Sequence, residues 1–219
     1  MSRILNCTRL DFTTALSSMM MAGIMLLISI VIGFLTKMPV ISEVLIMAFS
    51  VFVGGNVFQL HEKNHSEKLY GILPIRRSDM IVGRYVYALV IGLVAGILAT
   101  VVAWAVTVTT QANYPAFDLL GAVAIAFVYY SFAVGVSYPI FFKFSFAKAY
   151  IFTMLPLYLV VIASILIGRK TNVGADLAST ASYFAPIVGV IPLIGLVVGL
   201  VLLVVSGFIS NAIYAHKEV

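Results

Sequence analysis

Six long apolar runs, separated by polar stretches, constrain this chain more than any other feature; they cover residues 18–36, 40–60, 86–110, 117–142, 149–167 and 192–214. Crossing a hydrocarbon core of roughly 30 Å takes about 20 residues of α-helix, and each run is long enough. Barrel strands would alternate apolar and polar positions, whereas these runs are continuous, so helices are the expected spanning element. Composition agrees. Of 219 residues, 63% are apolar and 10% charged, against roughly half and a quarter in a soluble domain. The expected fold class is all-α: a polytopic membrane protein with six transmembrane helices, forming a single transmembrane domain over residues 1–219.

Lysines and arginines set the expected orientation. With the N-terminus in the cytosol, the inner segments hold Arg3, Arg9, Lys63, Lys68, Arg76, Arg77, Arg84, Lys143, Lys148 and Lys217, and the outer ones only Lys37, Arg169 and Lys170. That asymmetry places both termini inside. The net charge of +5 therefore marks topology and contact with membrane lipid, and no nucleic acid is expected as a partner, because the basic residues form no patch between aromatic platforms. Cys7 is the single cysteine, which excludes an intramolecular disulfide and suits a reducing compartment. The first apolar run is too long for a signal peptide and lacks a small-residue cleavage site, so it is expected to be retained.

Three segments outside the runs carry pattern. In residues 2–17, helical pitch puts Leu5, Phe12 and Leu16 on one face with Arg3 and Asp11 pointing elsewhere, as in an interfacial helix. Residues 172–191, broken by Gly174 and Pro186, are long for a simple outer connection, and partial re-entry into the membrane is one reading of them. Residues 61–79 are the long polar stretch. There Gly71 and Pro74 stop a short helix and Ser78 is placed to cap the next. Leu69, Tyr70, Ile72 and Leu73 are too apolar for an idle loop, so this helix is expected to press against a partner at the membrane face.

The same stretch opens with His61-Glu62-Lys63-Asn64-His65, a literal H-E-x-x-H. On a helix both imidazoles share a face and can hold zinc while Glu62 acts on a bound water. Against this stand the missing third ligand and the charges at Lys63, Glu67 and Lys68, which describe a solvated helix start. Glu43 is the carboxylate inside a span, near the outer end of the second run. It either marks a pathway or snorkels to water, and Asn56 and Gln59, deeper, either line a polar seam or bond neighbouring helices. Gly92-x-x-x-Gly96 and Gly195-x-x-x-Gly199 allow close helix contact, chiefly within the chain. Phe141, Phe142, Phe144, Phe146, Tyr150 and Phe152 suggest an interfacial aromatic belt. No G-x-x-x-x-G-K-[ST] cradle for phosphates occurs, so any ATP must be held by another chain.

Glu62-Lys63, Leu69-Tyr70-Gly-Ile-Leu-Pro-Ile-Arg-Arg-Ser-Asp, Val82-Gly-Arg-Tyr85 and the tail Ser206-x-x-x-Ser210-x-x-x-Tyr214-x-x-Lys217-Glu218 together resemble small bacterial ABC type-2 permeases. Within these the chain looks closest to exporters of amphipathic cytolytic peptides, such as phenol-soluble modulin transporters. His61 stands where that family more often has an acid, which makes H-E-x-x-H a product of drift.

The resemblance implies a permease subunit of a bacterial plasma-membrane exporter, with residues 2–17 as its elbow helix. A coupling helix seats on a separate cytosolic ATPase that binds ATP and Mg. Glu62, Lys63, Glu67, Lys68, Leu69, Tyr70, Leu73, Arg76 and Arg77 would form that contact. A second permease chain, identical or not, completes the pair, and this chain has no cofactor or catalytic residue of its own. Spans with few ionisable groups favour an amphipathic or apolar substrate, peptide above lipid or drug. The rivals are a zinc protease built on His61, Glu62 and His65, and a scaffold or immunity protein that binds a toxic peptide without pumping it.

Overall fold

The computed structural model describes Thr8, Asp11, Thr13 and residues 19–63, 77–111, 116–144, 146 and 190–215. Five helices lie within them: α1 (Met19–Thr36), α2 (Pro39–Lys63), α3 (Arg77–Thr110), α4 (Ala116–Lys143) and α5 (Ile191–Ala215). The last four are long and apolar enough to cross a membrane. At 18 residues, α1 reaches about 27 Å, slightly short of a typical core. The expected span over 149–167 and the segment 172–191 lie outside the described residues.

Helix ends follow from local chemistry. Lys37 and Gln111 adopt left-handed φ values of 56° and 52°, the conformation that terminates a helix just past its last turn. Pro39 then opens α2, where its missing amide has no intrahelical partner to lose. The helix α3 starts at Arg77 rather than at the apolar edge Val86. Asp79 interrupts hydropathy but suits a first helical turn, and Arg84 is 7% exposed, its charge turned into the bundle. Ser78 consequently sits inside that first turn instead of capping it.

The most enclosed helix, α2, packs on α1, α3 and α4, while α4 makes its most extensive contact with α5. One buried cluster joins Ile46, Val51 and Phe58 of α2, Ile81, Ala88 and Ala99 of α3, Tyr130, Val134 and Phe141 of α4 and Leu203 of α5. Lipid tails are as apolar as leucine, so such a bundle is held by close fit and interhelical hydrogen bonds. Close fit is visible at the glycines. A Cβ on Gly199 would fall 2.6 Å from Phe127 Cδ1, and one on Gly195 2.9 Å from the Ala124 Cβ. Gly92 faces the Tyr130 ring, so the small-residue pairs serve packing within the chain.

Candidate functional site

The ends of α2 and α3 that flank residues 64–76 carry a cluster of polar and aromatic contacts. Each comes from a different part of the sequence. Asp11 and His61 are both buried, and Asp11 Oδ1 lies 3.0 Å from His61 Nε2. Thr8, three residues earlier, donates its hydroxyl to the Gly83 carbonyl at 3.2 Å. The N-terminal segment, helical at its described residues, thereby holds the end of α2 and the start of α3 together. Beyond α4, the Phe146 amide donates to Glu62 Oε2 at 2.5 Å, which ties the chain after α4 to the same end of α2.

Arg84 lies at the centre of this end. Its guanidinium stands 4.3 Å from the centroid of the Phe58 ring and 5.4 Å from that of Phe142. A planar, weakly hydrated guanidinium suits this buried aromatic setting better than a strongly hydrated ammonium. Phe58 also packs edge-on to Tyr138 and Phe142, with ring centroids 4.9 and 5.2 Å away. Phe146 stacks on Phe141 at 5.1 Å. The aromatic run expected as an interfacial belt is therefore divided. Phe141 and Phe142 are core residues that wrap an arginine, because α4 turns them inward, and Phe144 is exposed beside Lys143.

A hydrogen-bonded relay links α3, α4 and α5. Pro139 inside α4 has no amide, so the Gly135 carbonyl four residues earlier loses its helical donor. Ser206 of α5 donates to that carbonyl at 2.7 Å. Having given its one proton there, Ser206 must accept from the Tyr85 hydroxyl, 2.6 Å away. Tyr85 then accepts from Ser210 at 2.7 Å. The direction Ser210 to Tyr85 to Ser206 to Gly135 is fixed by the orphaned carbonyl at its end. Tyr138 and Tyr130 make further ties, donating to the carbonyls of Gly54 at 3.2 Å and Ala88 at 2.6 Å.

The expected site residues are distributed unevenly. Glu62 and Lys63 end α2 and are exposed; Arg77 opens α3. Glu67, Lys68, Leu69, Tyr70, Leu73 and Arg76 lie outside the described residues, as does His65. The expected solvated helix start at His61 is instead the last turn of α2, with His61 turned inward to Asp11. That placement does not favour zinc: His61 Nε2 meets a carboxylate and Glu62 is engaged by a backbone amide. No group of three potential metal ligands converges among the described residues. At the far end of α2, Glu43 is 0% exposed and does not snorkel, and its carboxylate oxygens have no hydrogen-bond partner among the described residues. Asn56 and Gln59 are half-buried.

Sequence inspection used Asp11 for a helix face, Arg84 for topology and Arg84, Tyr85, Ser206 and Ser210 for the family resemblance, but it assigned none of these, nor Pro139, a contact in the bundle. Two signals for the relay were nonetheless present: serines four apart on an apolar helix, and a proline four residues after a glycine.

These helices and ties define a polytopic helical membrane protein whose polar contacts gather at one end of the bundle. The chain belongs to the ABC-2 transporters: the family described as ABC-2 family transporter protein matches residues 10–215. It is a membrane-embedded permease subunit of an ABC transporter. No curated protein and no solved structure matches it.

Proposed function

We propose that this permease exports amphipathic or hydrophobic substrates, chiefly peptides, driven by a separate cytosolic ATPase that binds ATP and Mg. Residues 61–79 are its coupling segment, and a second permease chain completes the translocation unit. The observation that carries this reading is the bracing of both ends of residues 64–76. Asp11–His61, Thr8–Gly83 and Glu62–Phe146 tie the segment's roots to the N-terminus and to the end of α4. A segment rooted in this way passes a push to the helices as rigid-body motion instead of absorbing it. ATP's preference for closed ATPase subunits supplies the differential free energy.

Leu69, Tyr70 and Leu73 supply buried contact with the ATPase, and Glu62, Lys63, Glu67, Lys68, Arg76 and Arg77 supply its charged rim. Glu43, Asn56 and Gln59 are the candidate pathway positions. The test is ATP hydrolysis by the candidate ATPase with and without the chain in lipid nanodiscs, with amphipathic peptide added. The chain should change the rate, and the peptide should change it further. Leu69→Asp should leave the chain inserted but lower capture of the ATPase in pull-down at least tenfold; unchanged capture would remove Leu69 from the contact.

A further inference from the structure

The buried stripe at the start of α2 runs Pro39, Ser42, Glu43, Ile46, Met47 and Ser50, and one acid stands in it. The Glu43 carboxyl is fully enclosed, and neither oxygen has a hydrogen-bond partner among the described residues. We propose that Glu43 is a proton-binding site: its carboxyl is neutral while this end of the bundle is packed, and it yields its proton to water when α1 and α2 part there. The inference stands whether or not the substrate is a peptide.

An ionised carboxyl taken out of water needs hydrogen-bond donors or a cation. The buried hydroxyls of α1 and α2 are spent on their own helices: Ser29 donates to the Met25 carbonyl at 2.9 Å, Ser42 to that of Pro39 at 2.6 Å and Ser50 to that of Met47 at 2.7 Å. The elements packed against α2 are α1, α3 and α4. At this end they bring no cation. No titratable residue occurs in α1, or in α3 from Ala95 to Thr110, and α4 over residues 116–127 has only Asp118, exposed and of like charge. Tyr130 and Tyr138 of α4 bond to Ala88 and Gly54, towards the other end, Gly54 being about 16 Å along α2 from Glu43. Lys37, in the turn before α2, is exposed. A buried carboxyl without donor or cation is accommodated by keeping its own proton.

Release needs little movement. Glu43 lies four residues past Pro39, about 6 Å along the helix, so parting α1 from α2 at the turn of Lys37 and Met38 brings water to it with both helices intact. Close approach at Gly33, whose Cβ would fall 2.9 Å from that of Ser42, is the packing that must open. The O–H bond then breaks, the proton passes to a water molecule, and the carboxylate that remains must be desolvated before the helices can repack. Only the packed form holds the proton, so raising the pH favours the parted one.

The test is infrared spectroscopy of the full chain in lipid nanodiscs. Wild type at neutral pH should show a protonated-carboxyl band that Glu43→Gln removes. Asp118→Asn, which deletes an exposed acid, should leave the band, and Glu43→Asp should keep one at a shifted frequency. If Glu43→Gln folds poorly, wild type grown with isotope-labelled glutamate assigns the band by its displacement. As the pH is raised and the band fades, amides of residues 40–46 should exchange with deuterium at least tenfold faster in wild type than in Glu43→Gln at the same pH. Wild type without the band at neutral pH would overturn the proposal, since Glu43 would then be a carboxylate paired with a cation such as Arg169 or Lys170. Loss of the band without faster exchange would also overturn it, because the proton would be leaving the packed bundle.

Discussion

The two halves of this bundle are held by different physics. In the half that faces residues 64–76, hydrogen bonds join one segment to another: Asp11 to His61, Thr8 to Gly83, Glu62 to Phe146, Tyr85 to Ser206 and Ser210, and Ser206 to Gly135. In the far half, among the described residues, hydroxyls bond their own helix, Thr36 to Ile32, Ser42 to Pro39, Thr107 to Ala103 and Thr110 to Val106. There the helices meet through small residues, Gly33 on Ser42 and Gly195 on Ala124. An interhelical hydrogen bond in a membrane averages about 0.6 kcal/mol and reaches about 1.7. It also fixes register. A bond to a helix's own carbonyl fixes none, so among the described residues register in the far half rests on close packing alone, and the expectation is that the far half shears more readily than the near half.

The largest effect is expected where the near half is most concentrated. Arg84→Ala removes a buried cation from between Phe58 and Phe142 and leaves a cavity, so stability should fall by about 3 kcal/mol. Arg84→Lys should recover little of it, because the ammonium lacks the guanidinium plane that lies against the rings. Reversible unfolding in mixed detergent micelles measures both. A loss below about 1 kcal/mol for Arg84→Ala would mean that near and far halves differ less than their contacts imply.

A smaller effect sharpens the comparison further. Ser206→Ala leaves the Gly135 carbonyl without a donor in hydrocarbon, a cost of about 1.5 kcal/mol. Pro139→Ala restores an amide to α4 and gives that carbonyl its helical bond back. In the Pro139→Ala background, Ser206→Ala should therefore cost about half as much or less. This double-mutant cycle isolates the coupling. If both backgrounds lose the same stability, Ser206 acts through Tyr85 alone and the proline break plays no part.

How much of this the sequence disclosed depended on the kind of contact involved. The four spanning helices were readable because each apolar run exceeds the length a bilayer demands, and they match to within a few residues at most ends. The start of α3 was not, because hydropathy treats Asp79 and Arg84 as breaks, while the helix needs only backbone bonds and a partner for each charge. Arg84 finds its partner in Phe58 and Phe142, distant in sequence and invisible to any local window. His61 is a case of the same kind: its spacing to His65 raised zinc as a rival reading, and the Asp11 carboxylate that lies beside it, 50 residues away, is equally invisible to a local window. For Glu43, the edge of an apolar run suggested access to water, but burial depends on the neighbouring helices.

In the far half, Glu43 is the exception to weak polarity. As a buried carboxyl with no partner among the described residues, it should gain from becoming an amide of the same shape. Glu43→Gln is expected to keep stability or raise it by up to about 1 kcal/mol, measured by the same unfolding titration. A clear loss instead would reveal a cation held against it, and the far half would then contain a charged tie of its own.

The smallest effect concerns the turn that closes the far half. Lys37 carries a φ of 56°, a left-handed conformation that crowds Cβ against the carbonyl and costs a non-glycine residue of the order of 1 kcal/mol. Its replacement by glycine removes that crowding but adds freedom to the unfolded chain, which returns part of the gain. Lys37→Gly should therefore stabilise the chain by about 0.5 kcal/mol, with Arg84 and Ser206 variants losing as much in this background as in wild type. Independence is the informative part. Additive losses mean that the far turn and the near ties are separate supports, as expected if register is fixed only near residues 64–76. Losses that change with Lys37→Gly would show the two ends coupled through the length of α2, and the block-and-shear division would have to be given up.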